Sequence, residues 1–272
     1  MKAKVFALAA AVTLTGLAPS AQGARSAPLA AADAADPKTI LFRVADALGM
    51  LRGLQQEDSI TTFEFWATGT MNDAGQPLKL TSYRGSVRFR AVPGMRVDFT
   101  AAAPGRAAAR QIRVVAGKFA WNETGPGLNA SPAMTSANER LLQLWALPQG
   151  VVKGAAAAGD RTTVKSEGAA TILSFPVPNM DGATLTATLN AKNLVERVVT
   201  RLGEASTETT YADYGDWNER DYKADVLFPR RITQKRGGIT VLDLTIIKTN
   251  TYNPYVIMPV PDIVEKSSGG QS

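Results

Sequence analysis

The sequence predicts an α+β fold, a curved antiparallel sheet with covering helices. Three observations carry that expectation. Arg230 to Arg236 and Ile239 to Ile247 read as strands meeting at Gly237-Gly238, and a Gly-Gly pair supplies the positive φ angles of a tight hairpin turn. Val87, Phe89 and Ala91 alternate with Ser86, Arg88 and Arg90, and after Pro93-Gly94 the residues Met95, Val97 and Phe99 alternate with Arg96, Asp98 and Thr100. One apolar and one charged face mark a half-exposed strand pair. Leu41, Val44, Leu48 and Leu51 follow a helical period instead.

The chain opens with Lys2 and Lys4, an uncharged and mostly apolar run from Val5 to Leu17, and the small-residue site Ala21-Gln22-Gly23. This is the layout of a secretory signal peptide over residues 1–23. Its apolar run rises only about 20 Å as a helix, short of a roughly 30 Å hydrocarbon core, so no membrane span is expected after cleavage. An exported, soluble periplasmic protein is expected. Residues 24–35 read as a flexible N-terminus, rich in alanine. Asp36-Pro37 then starts a helix, with aspartate as cap and proline in the first turn, ending near Gly53.

From Ile60 the period becomes that of a strand. Phe63, Phe65 and Ala67 alternate with Glu64, Trp66 and Thr68, and a turn follows at Asn72 to Gly75 before Leu78 and Leu80. Gln111 to Val115 and Lys118 to Trp121 form a hairpin about Ala116-Gly117, with Phe119 and Trp121 on one parity. Gly125 to Pro132 breaks the pattern. Ser136 and Glu139 have the spacing of a capping box ahead of Leu141, Leu142, Leu144, Trp145 and Leu147. Pro148 must kink or end that helix, and Val151 to Ala158 forms a second piece.

Five strands are expected next, at Thr162 to Ser166, Thr171 to Val177, Ala183 to Leu189, Leu194 to Leu202 and Thr207 to Tyr214. With the Gly-Gly hairpin they make a long meander. In that hairpin, Ile239 and Val241 lie on one parity and Leu242, Leu244 and Ile246 on the other, which predicts cover on both faces, at least in part. Pro254, Pro259 and Pro261 exclude Tyr252 to Asp262 from a sheet interior, so that segment should run extended over the surface. One domain is expected over 36–264, with a disordered tail at 265–272.

Composition excludes several chemistries. The chain has no cysteine and no histidine, which removes disulfides, thiol nucleophiles, imidazole bases and the usual zinc and haem ligands. Without Lys2 and Lys4, 28 basic residues face 24 acidic ones, an ordinary solubility charge. Arg230-Arg231 and Lys235-Arg236 sit in strands without a nucleic-acid motif, so no nucleic-acid partner is expected. Asp213, Asp216, Glu219, Asp221 and Asp225 form the densest acidic group, but they lack the spacing and central glycine of a calcium loop. Neither a metal nor any other cofactor is expected, no catalytic residue is assigned, and the chain is read as non-enzymatic. Asn122-Glu123-Thr124 matches a glycosylation acceptor by chance.

The order of elements resembles the LolA-like superfamily of periplasmic proteins. An exported chain with a first helix at Pro37 to Gly53 continues into hairpins from Ile60 to Trp121. Helices from Ser136 to Ala158 and a meander from Thr162 to Ile247 follow. The resemblance implies an incomplete β-barrel whose concave face is partly closed by the helices. It also implies carriage of lipoprotein-like cargo. Tyr211 to Tyr214 and Phe228-Pro229 through Leu244 further resemble the non-catalytic part of exported proteins that carry a metallo-β-lactamase-like domain. The lack of histidine leads to the expectation that such a catalytic domain is absent here.

Within such a barrel, Trp66, Phe89, Phe99, Trp121, Trp145 and Phe175 come from separate elements that could converge on a ligand cavity. For each of them taken singly, an ordinary filled core is the favoured reading. At Trp145 the nearby bend at Pro148 tips the reading towards the cavity. The function expected is periplasmic binding or carriage of a lipid or other hydrophobic ligand. The alternative is a structural or protein-interaction module of the cell envelope without a cavity, using Arg88, Arg90 and Arg96 to meet an acidic envelope protein.

Overall fold

The fold is organised by a thirteen-stranded antiparallel sheet and by helices that cover one of its faces. The computed structural model describes residues 36–73, 75–217, 226–251 and 253–268. Residues 1–35, expected to hold a signal peptide and a flexible N-terminus, and residues 269–272 of the expected tail therefore lie outside the described residues, as do Glu219, Asp221 and Asp225. In chain order, helix α1 (Pro37–Ala47) precedes the short strands β1 (Leu51–Arg52) and β2 (Glu57–Asp58). The first arm of the sheet comprises β3 (Thr62–Asp73), β4 (Gln76–Arg88), β5 (Gly94–Ala102), β6 (Ala109–Ala116), β7 (Phe119–Glu123) and β8 (Ser131–Pro132). Helices α2 (Ala137–Ala146) and α3 (Pro148–Ala158) come next. The second arm is β9 (Thr163–Glu167), β10 (Ala170–Pro176), β11 (Ala183–Leu189), β12 (Val195–Leu202), β13 (Ala205–Asp216), β14 (Leu227–Arg236) and β15 (Ile239–Asn250), before helix α4 (Asp262–Ser268).

The strand order is β8-β7-β6-β5-β4-β3-β15-β14-β13-β12-β11-β10-β9. Two meanders are thus joined where β15 pairs with β3, and α2 and α3 connect the two outer edges. Among the described residues those edges are not bonded to each other, so the barrel is not fully closed. Helix α2 packs against β5 and β6 of one arm and β12 of the other. In a flat sheet β5 and β12 would lie about 29 Å apart, whereas a ten-residue helix is about 15 Å long. The sheet must curl to bring both to one helix. Bulges at Ala67/Gly69, Leu80/Ser82 and Ile246/Lys248 supply local bending.

The concave face holds most of the core. Phe63, Phe65, Tyr83, Phe99 and Phe228 form a continuous aromatic layer, with ring centroids from 4.7 Å (Phe63–Phe228) to 6.5 Å (Phe63–Phe65) apart. The Phe65 ring lies over Gly85, its partner across the ladder, where a Cβ would come within 2.3 Å of it. A second, smaller core lies on the outer face. There Val256, Met258 and Val264 cover Ile112, Val114 and Trp121. This is where the proline-containing segment runs: Val256 and Met258 turn inward and are buried, while Tyr255 and Ile257 face solvent.

Several local expectations hold. Asp36 caps α1 by accepting from the Thr39 amide at 3.1 Å. Gly237 and Gly238 both have positive φ between β14 and β15. Pro148 ends α2 and opens α3 through an extended Leu147.

Others are corrected. The first helix stops at Ala47, and Leu51–Arg52 pairs with Glu57–Asp58 as a small ribbon. No capping box forms: a 3-10 turn at Met134–Ser136 leads straight into α2, and the Ser136 side chain makes no cap bond. Glu139 is drawn to Arg236 instead, at 2.6 Å. Ser131–Pro132 of the loop expected at Gly125 to Pro132 pairs with β7. On β15 the cover is partial: Leu244 and Ile246 are buried and Val241 is half-buried, but Ile239 is exposed. Residues 265–268, expected to be disordered, belong to α4, which the buried Val264 anchors.

Candidate functional site

Between α2 and the first arm of the sheet lies a cavity of about 630 Å³. Its floor follows from the strand period. Met95, Val97 and Phe99 alternate along β5 on the concave face, and Tyr83 lies opposite Phe99 across the ladder. Leu242 of β15, paired with Met71 of β3, continues this apolar floor. Its wall follows from the helical period, since Ser136, Glu139, Arg140 and Gln143 line one side of α2.

The rim is polar because β6 changes character along its inward face. Val115 faces the core, but Arg113 and Gln111, on the same parity, line the cavity instead. The Arg113 guanidinium lies 5.1 Å over the Phe99 ring and donates to Asp73 at 2.7 Å. Across the opening, Arg236 of β14 pairs with Glu139. Arg140 reaches from α2 to the sheet. It donates to the main-chain oxygens of Val114 (2.8 Å) and Trp121 (2.7 Å) and to Asn122 Oδ1 (2.6 Å). Burial pushes the Arg140 pKa down to about 10, the Arg113 charge adds to this, and the Glu139 charge opposes it.

The carboxylates of the cavity are engaged. Asp73 is held by Arg113 and Glu139 by Arg236. Glu123 accepts from Arg96 with both oxygens at 2.9 Å and from the Trp121 indole at 2.7 Å. Burial raises the Tyr83 phenol well above its usual range, against the opposing Arg113 charge. Among the described residues no group of three acidic side chains is placed to hold a metal ion.

The six aromatic residues singled out from sequence separate into three environments. Phe99 alone lines the cavity. Phe89, Trp145 and Phe175 belong to the main core. Trp145 is 5% exposed, and its ring and that of Phe175 pack over Gly154 of α3, where a Cβ would come within 2.7 Å of Phe175. The Lys153 ammonium covers the Phe89 ring at 5.1 Å and is bound to Asp58. Trp66 and Trp121 face the opposite side of the sheet. Trp66 lies between Arg84 (5.0 Å) and Lys248 (4.4 Å), and Trp121 is fully buried in the outer core. The expected convergence of all six is therefore corrected, as is the inclination to place Trp145 at the cavity. Bulky apolar groups on the inward parity fill this fold.

Of the three basic residues considered for partner docking, Arg96 is spent on Glu123, while Arg88 and Arg90 donate to the main-chain oxygens of Val92 and Asp58. The cavity residues missed from sequence are Arg113, Arg140, Gln143 and Arg236. Their signal was polarity at positions whose period points inward.

No family model matches the sequence, and no curated protein matches it. Two solved structures show a weak similarity over most of the chain. One is a LolA superfamily protein from Nitrosomonas europaea, with a TM-score of 0.45 and 12% identity over 84% of this chain and 96% of that one. The other, from Vibrio parahaemolyticus, is described as a putative outer membrane lipoprotein-sorting protein domain. It has a TM-score of 0.48 and 10% identity over 86% of this chain and 99% of that one.

Proposed function

We propose that this protein binds and carries a lipid or another amphiphile in the cavity beneath α2, in the periplasm and without chemical turnover. The observation that carries this reading is the cavity's two-part lining. Met95, Val97, Phe99 and Leu242 offer an apolar floor, while Arg113, Arg140 and Gln143 offer polar groups at the rim. Its volume falls in the roughly 300–1,000 Å³ range of small-molecule sites. An apolar floor favours a chain or ring removed from water, and a polar rim favours a headgroup left near it. Turnover is disfavoured because Asp73, Glu123 and Glu139 are each held by a guanidinium, so that among the described residues of the cavity no pair of carboxylates is left poised as acid and base. The periplasmic location rests on the leader pattern from Lys2 to Gly23.

Protein purified from its native host should carry an extractable amphiphile in near-stoichiometric amount. Once stripped, it should take up a fluorescent acyl probe saturably. Stripped protein that takes up no acyl probe over the micromolar range would remove this reading.

A further inference from the structure

We propose that the ligand of this cavity is an anionic amphiphile, its phosphate or carboxylate head held between Arg113 and Arg140. This inference rests on the amphiphile reading and adds the charge of the headgroup. Among the described residues four arginines line the cavity, and three of them have a carboxylate at ion-pair distance: Arg110 with Asp98, Arg113 with Asp73 and Arg236 with Glu139. Arg140 is different. Its three hydrogen bonds all go to neutral oxygens, those of Val114, Trp121 and Asn122. Among the described residues no carboxylate comes within ion-pair distance of it.

A guanidinium withdrawn from water without a counter-charge is costly. Here the Arg113 charge repels it as well, and burial lowers its proton affinity further. Glu139, whose charge offsets part of this, is already committed to Arg236. An anion entering from the rim would meet both guanidinia and relieve their repulsion. Guanidinia also match the geometry of phosphate and carboxylate oxygens better than an ammonium does. Behind that point the floor turns apolar at Val97 and Phe99, so a chain attached to the anion has somewhere to go.

The test compares dodecyl compounds that share a chain and differ in head, by calorimetry on stripped protein at low ionic strength. Dodecyl phosphate and laurate should bind about tenfold or more tighter than dodecylphosphocholine or dodecylamine, and added salt should weaken the anions selectively. Arg113→Gln should erase most of that preference and Arg113→Lys should restore part of it. Arg140→Gln should do the same, but Arg140 also ties α2 to the sheet, so the Arg113 pair decides if that variant unfolds. Equal binding of all heads, or a folded Arg113→Gln protein with its preference intact, would overturn the headgroup inference and leave the amphiphile reading standing. Failure of every dodecyl compound would remove both. Inorganic phosphate binding as tightly as dodecyl phosphate would overturn the inference in favour of a free-anion site.

Discussion

Tyr211 donates its phenolic proton to the main-chain oxygen of Ala146 across 2.6 Å. That bond joins the last residue of α2 to strand β13 of the second arm. The helix needs it there, because the extended Leu147 and the donor-less Pro148 interrupt the i to i+4 ladder. Burial raises the Tyr211 pKa well above the usual phenol range, although Thr209 opposes this, so the hydroxyl stays a donor at any physiological pH.

Tyr211→Phe should therefore cost about 1–3 kcal/mol, the penalty of leaving a buried carbonyl without its donor. Denaturant unfolding measures it. An unchanged midpoint would show that the end of α2 is held by packing alone.

Trp145→Ala should be far more damaging. The indole is packed against α3 and Phe175 in the main core, away from the cavity lining. Lost burial and the void left behind should together cost about 3–5 kcal/mol. Affinity for an acyl probe, measured under conditions where the variant is still folded, should change little. Large loss of affinity with stability preserved would put Trp145 in the site.

Glu64 gives the fold a defined acid response. It is buried on the outer face, where it accepts from Asn253, Ser86 and Arg84 and so pins the C-terminal segment to β3 and β4. Burial pushes its pKa up, but these hydrogen bonds and the Arg84 charge outweigh that and leave it below the ordinary 4.5. A carboxyl depressed in the folded state contributes stability that is complete above its unfolded pKa. That contribution is lost as pH falls below 4.5 through the folded value. Glu64→Gln should cost about 2 kcal/mol at neutral pH and flatten the acid limb of a stability-versus-pH curve. Parallel curves for parent and variant below pH 4.5 would contradict this assignment.

Much of the fold was legible because strand parity is a local signal. The alternation of Phe63, Phe65 and Ala67 with Glu64 and Trp66 already put Trp66 on the opposite face from the core. The shared parity of Phe119 and Trp121 likewise matched one outer cluster. What parity cannot tell is which face a distant segment will cover, and the burial of Trp121 depends on Val256 and Met258, more than a hundred residues away. The capping box failed for a similar reason. Its spacing was right, but Glu139 found a long-range partner in Arg236. The site was hidden by the assumption that cavities are marked by large apolar residues. In this fold such residues complete the core, and the cavity opens where Arg113, Arg140 and Gln143 occupy inward positions that a filled core would give to leucine.

Titration of the parent protein and a Gln143→Trp variant with parinaric acid is the most direct check on the cavity. Gln143 lines the cavity from the helix side and lies outside the buried core, so an indole there fills the space with little demand on packing. The account predicts saturable, one-to-one uptake by the parent and a loss of about tenfold or more in affinity in the variant, with circular dichroism and unfolding midpoint little changed. Equal affinity of the two proteins, both folded, would contradict it and place the acyl chain elsewhere on the molecule.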